Sequence, residues 1–223
     1  MPRQQKPFTF SNGVLISVWQ ANWDQSMERS AIEEQARADR ERLNGSGDPE
    51  LLFFQENIYA GLAAVSQGDV PSLESAFRLL DHDLDDWYMR VQEMNPTWYL
   101  ISEVQEIPVR LGDYEFVVQS MRPSVLMRRM HIETELGKQP SLPNIKQEVF
   151  RVAYYPRLAG CSVGNVPSVD VARTELTETE LQTWYDAAKQ MIPAWFETME
   201  EQARANQDAA LTNKKKSLTK KPK

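Results

Sequence analysis

One phrase occurs twice in this chain. "YAGLAAVSQGDVPS" begins at Tyr59 and "YPRLAGCSVGNVPS" begins at Tyr155, an offset of 96 residues, with eight of the 14 positions identical. Phe54 and Phe150 keep the same offset upstream. One inserted residue later, "LDDWYMRVQEMNPTWY" from Leu84 faces "LQTWYDAAKQMIPAWF" from Leu181. Leu84, Trp87, Tyr88, Met94, Pro96 and Trp98 recur there as Leu181, Trp184, Tyr185, Met191, Pro193 and Trp195, and Tyr99 becomes Phe196. Tryptophan is scarce, so two matched tryptophans in one local frame point to duplication. A period near 100 residues limits the fold severely: both halves must adopt the same small-domain architecture.

The start of each half follows one grammar. "KPFTFSNGVLISVWQ" and "IPVRLGDYEFVVQSM" alternate apolar residues around a glycine-containing turn, which predicts a β-hairpin at the head of each copy. The last helix of each copy is equally legible. Leu181, Trp184, Tyr185, Ala188, Met191 and Ile192 fall at helical spacing, as do Leu84, Trp87, Tyr88, Val91 and Met94. Thr177 and Glu180 form a capping box, and Asp83 is expected to cap the first-copy helix. Proline ends each helix, because it lacks an amide hydrogen and disfavours a helical residue before it. "GDVPS" and "GNVPS" read as connectors in which Ser72 and Ser168 cap the next helix. They lack the further glycines and the Gly-Lys-Ser/Thr ending of a phosphate loop.

The predicted class is α+β and mostly helical, with two similar units, each a β-hairpin followed by several helices. Residues 1–103 form the first unit, 104–200 the second, and 201–223 a polar, Lys-rich and disordered tail. The copies diverge in their middle helix. In the first, Trp23, Met27 and Ala31 make only a narrow apolar stripe on an otherwise charged helix, which leaves much of it to face solvent or a partner.

Charge and composition exclude several functions. The net charge is −7, yet the last ten residues hold six lysines; the remaining 19 basic and 32 acidic residues leave the body at −13. An acidic body repels nucleic-acid phosphates. No run of apolar residues is long enough for a membrane span. The single cysteine, Cys161, aligns with Val65 and reads as a small buried residue, consistent with a reducing cytoplasm. His82 and His131 occupy unrelated repeat positions, and neither has metal-ligand spacing. Asp81, Asp83, Asp85 and Asp86 lack the glycine and terminal glutamate of a calcium loop, so capping and surface charge account for them. No catalytic site, metal or cofactor is expected. The candidate partner-binding residues are the post-proline aromatics Trp98, Tyr99, Trp195 and Phe196, expected to lie half exposed, together with Trp23 and Met27.

The second copy resembles the C-terminal part of tail assembly chaperones of long-tailed bacteriophages. The features that carry this are Tyr155-Pro156 with Leu158-Ala159, Gly164 with Pro167-Ser168, Trp184-Tyr185, and Pro193 with Trp195-Phe196; "FTFSNGVLISV" is similar to the opening hairpin of such proteins. The first copy repeats these features with Asn95-Pro96 and Trp98-Tyr99, a tandem arrangement that departs from the single unit of many members. The resemblance implies a non-catalytic protein that binds the tape measure protein and keeps it soluble in the host cytoplasm. Such a protein is absent from the finished virion. The tail tube protein and further copies of the chain are additional candidate partners. A structural virion protein or another interaction module is the alternative, followed by an enzyme with an unrecognised site.

Overall fold

A computed structural model of the chain describes residues 3–42, 48–98 and 105–197. Tyr99 and the tail expected at 201–223 lie outside them. The fold is α+β and mostly helical, and the two halves repeat it element by element. The first unit runs β1 (Gln5–Thr9), β2 (Leu15–Trp19), α1 (Trp23–Arg42), then α2 (Pro49–Phe54), which passes through a π-helical turn (Gln55–Tyr59) into α3 (Ala60–Ala64). It continues with β3 (Ser66–Gly68), α4 (Leu73–Phe77) and α5 (Asp81–Met94). The second unit repeats this as β4 (Glu106–Leu111), β5 (Tyr114–Gln119), α6 (Pro123–Gly137), α7 (Ile145–Val149), a π-helical turn (Phe150–Tyr154), α8 (Tyr155–Gly160), β6 (Ser162–Gly164), α9 (Val169–Thr174) and α10 (Glu178–Met191).

Each hairpin turns where a glycine takes positive φ, +86° at Gly13 and +57° at Gly112, which L-residues rarely adopt. The third strand of each sheet is an addition to the sequence expectation. β3 pairs with β2 through Ile16–Gly68 and Val18–Ser66, and β6 pairs with β5 through Phe116–Gly164 and Val118–Ser162. The register is the same in both sheets. Three residues are too few to display a period-two pattern, so the repeated phrase reads as helix end and turn although it also holds a strand.

That phrase is scaffold in both copies, held by matching bonds. Trp87 Nε1 donates to Ser66 Oγ at 3.0 Å and Trp184 Nε1 donates to Ser162 Oγ at 2.9 Å. Each serine hydroxyl donates in turn to a carbonyl one helical turn back, Leu62 or Leu158, at 2.7 Å. Tyr59 and Tyr155 each donate to the carbonyl before the capping serine, Pro71 or Pro167, at 3.0 Å. Buried indole and hydroxyl groups are thereby satisfied, which a core requires. Cys161, like Val65, is buried. Burial pushes its thiol up to about 12, so it stays protonated and unreactive at neutral pH.

The caps follow the sequence reading with one correction. Ser72, Ser168 and the Thr177–Glu180 box close their helices as expected. Asp83 does not cap α5, which begins two residues earlier at Asp81 after Leu80. Its carboxylate instead accepts from the Ser11 backbone N–H at 2.9 Å and the Ser11 hydroxyl at 2.8 Å, tying the hairpin turn to the helix.

The units meet asymmetrically. Helix α6 of the second lies against α2 and α5 of the first, and Leu126 and Met127 pack on the first unit's core. Asp85 accepts from the Ser124 backbone N–H at 3.0 Å and hydroxyl at 2.7 Å. Arg128 reaches Asp81 at 3.3 Å while also donating to the Gly160 carbonyl at 3.1 Å. Burial pushes the Asp85 carboxyl up, opposed by the Ser124 hydrogen bonds and the Arg122 charge. Helix α1 packs within its own unit on α2 and α3. A pseudo-two-fold axis would bring α1 to the second unit as α6 comes to the first, whereas the main contacts of α1 are within its own unit.

Candidate partner-binding surface

The same helix positions build one surface twice. In the second unit the last helix and the π-turn helix flank a trough. This trough is open to the exterior, with a volume of about 470 Å³. Phe150, Tyr154 and Leu158 form one wall, and Leu181, Gln182 and Tyr185 form the other. A neighbouring hollow of about 320 Å³, lined by Ile145, Val149 and Tyr154 among others, extends it along α7. Ile145 and Val149 are exposed although apolar. The π-helical turn forms part of this wall: Phe150 and Tyr154 lie within it and Leu158 lies in α8.

The expected site residues divide into three groups. Trp23 and Met27 stand on α1 with 76% and 51% of their surface exposed. Trp98 is half-buried against the first unit's core, under the Arg29 guanidinium at 5.0 Å. Trp195 and Phe196 are buried, contrary to the half-exposed position expected of them. After Pro193 the backbone re-enters a helical turn, with Glu197 N–H bonding to the Pro193 carbonyl at 3.1 Å. This turn folds both rings inward. The Arg129 guanidinium lies over Trp195 at 4.6 Å, a cation–π contact. Phe196 packs edge-on against Tyr185 with ring centroids 5.0 Å apart. Phe196 therefore backs the trough, and Tyr185 is the ring that lines it.

The trough residues Phe150, Tyr154, Leu181 and Tyr185 were not singled out from sequence. Phe150, Leu181 and Tyr185 carried a signal as repeated positions. Their first-unit counterparts Phe54, Leu84 and Tyr88 are buried. The difference arises from what covers them. Phe77 packs on Phe54 with centroids 5.6 Å apart, whereas Arg173 stands at the matching position of the second unit.

Glu178 and Lys146 line the trough and its extension, and a closer cluster of ionisable groups lies at the unit boundary. His131 Nδ1 lies 3.3 Å from both Glu50 carboxylate oxygens, and Glu135 completes a trio whose ligand atoms lie within 4.8 Å of one another. Sequence spacing could not reveal a pair 81 residues apart. The contact bridges α2 to α6, and Glu135 is also paired with Lys138 at 2.6 Å. Among the described residues no helix is long and apolar enough to cross a membrane. Comparison with known proteins returns no match to any family model, curated protein or solved structure.

Proposed function

We propose that the chain is a non-catalytic tail assembly chaperone of a long-tailed bacteriophage. In this reading it binds the tape measure protein and keeps it soluble in the host cytoplasm until tail tube subunits assemble around it. The observation that supports this is a helix-receiving trough. The first unit fills its trough with α6, and the second presents the same walls uncovered by any described residue. A long helical client offers apolar stripes of the kind that trough accepts, in the helix-in-groove mode of recognition. The acidic body keeps such a complex soluble.

Co-expression tests the proposal. The tape measure protein should partition to the soluble fraction with the full chain and aggregate without it. A chain that neither binds nor solubilises that client is not its chaperone. Mass spectrometry of finished particles separates a chaperone, which is absent from them, from a structural component, which is retained.

A further inference from the structure

The contact between the two units is one-sided, and each side has an unused counterpart. We infer that a second copy of this chain supplies the missing partner: α1 of one copy seats in the trough of the second unit of another, reproducing between chains the contact that α6 makes within one.

The equivalences follow from the repeat. Arg29 and Arg129 each pair with a glutamate one turn on, Glu33 or Glu133, at 2.7 Å, and each covers a matched tryptophan, Trp98 or Trp195. The register of α1 on α6 is therefore 100 residues. It places Met27 on Met127, Asp24 on Ser124, Glu28 on Arg128 and Ala31 on His131. These four α6 residues reach the first unit, as does Leu126, which stands at the position of Ser26. Their four α1 counterparts are all exposed. On the receiving side, Phe54, Ile58 and Leu62 are 0% exposed and Leu84 and Tyr88 at most 6%. Their counterparts Phe150, Tyr154, Leu181 and Tyr185 are half-buried and line the open trough, as does Leu158, which is itself buried.

The polar groups agree on polarity at the central position. Within the chain, the Ser124 hydroxyl donates to Asp85. Between chains, the equivalent positions are Asp24 and Gln182, so the side-chain donor and acceptor change places and the pair remains complementary. Lys146, at the position of Glu50, meets an acidic helix where Glu50 meets His131. Glu28 opposite Glu178, in place of Arg128 opposite Asp81, is a like-charge pair that weakens the contact and makes it tighten with salt. The surfaces on one copy are different, so the contact is heterologous and leaves an unused surface at each end.

The inference concerns the chain alone and stands or falls without any client. A client helix would compete for the same trough. Sedimentation of the full chain up to about 1 mM, the upper end of weak association, should show average mass rising with concentration. Trp23→Glu with Met27→Glu removes the inserting side, and Gln182→Asp sets a carboxylate against Asp24; each should lower association at least about tenfold. All three positions are exposed, and an unchanged circular dichroism melt confirms the fold. Adding Asp24→Ser to Gln182→Asp recreates the Ser124–Asp85 pair and should restore association. Mixed with the Trp23/Met27 variant, the Gln182→Asp chain should form a one-to-one complex that grows no further. A wild-type chain that stays monomeric overturns the inference. So does a Trp23/Met27 variant that associates as well as wild type, or a Gln182→Asp defect that Asp24→Ser does not repair.

Discussion

The two troughs have nearly the same walls and opposite fates. In the first unit α6 lies over Leu84 and Tyr88, and Phe77 closes the Phe54 end. In the second, Leu181 and Tyr185 remain half-buried, and Arg173 replaces the closing phenylalanine. Several scaffold bonds beneath recur in both copies, among them the indole–serine contacts of 3.0 and 2.9 Å. The difference teaches that burial at a repeated position belongs to the neighbour as much as to the residue. Duplication copied the walls, but one chain supplies only one internal occupant.

The largest test of this likeness is in the core. Trp87→Ala and Trp184→Ala each delete a fully buried indole and leave Ser66 or Ser162 without its donor, so each should cost about 3–5 kcal/mol. Chemical denaturation monitored by circular dichroism reads both. A mild effect at one position alone would break the equivalence of the two cores.

Met127 and Met27 test the difference. Met127→Ala should destabilise the chain by about 2 kcal/mol, because its side chain packs on the first unit's core. Met27→Ala should change stability by less than about 0.5 kcal/mol, since its side chain is exposed. Equal effects in thermal melts would mean that α1 is covered after all.

Asp85 and Gln182 sharpen it further. Asp85→Ala strands the buried Ser124 N–H and hydroxyl and should cost about 1–3 kcal/mol, whereas Gln182→Ala should be close to neutral in dilute solution.

One further contrast between the units depends on pH. Arg151, itself buried, donates to the Glu148 carboxylate and holds it down to about 2, with the Leu142 N–H assisting. A depressed folded-state pKa contributes stability that is present above the unfolded value of 4.5 and is lost as pH falls toward 2. Glu148→Gln should flatten that part of the stability profile. The first unit carries Leu52 and Gln55 at these positions and has no such contribution.

Much of the scaffold was legible in sequence because it depends on local rules. Glycine turns, serine caps, the Thr177–Glu180 box and the 3.6-residue stripe around Trp184 each leave a nearby signature. The π-helical turns leave none, since a single inserted residue alters no composition. The candidate surface was half legible. Trp23 and Met27 stood out as apolar residues on a charged helix. Tyr154 could not, because its exposure depends on which helix covers it. Trp195 and Phe196 misled because proline marks a helix end without fixing where the chain goes next. Here the guanidinium of Arg129, distant in sequence, covers the indole and completes the fold-back.

The covalent tandem gives the contact between α6 and the first unit a property that its proposed counterpart lacks. Tethered helices face each other at an effective concentration set by the connection, so dilution does not separate them. A bimolecular copy of the same contact responds to abundance. One joint of the proposed chain of copies would therefore be permanent, and the next would report how much of the protein has been made.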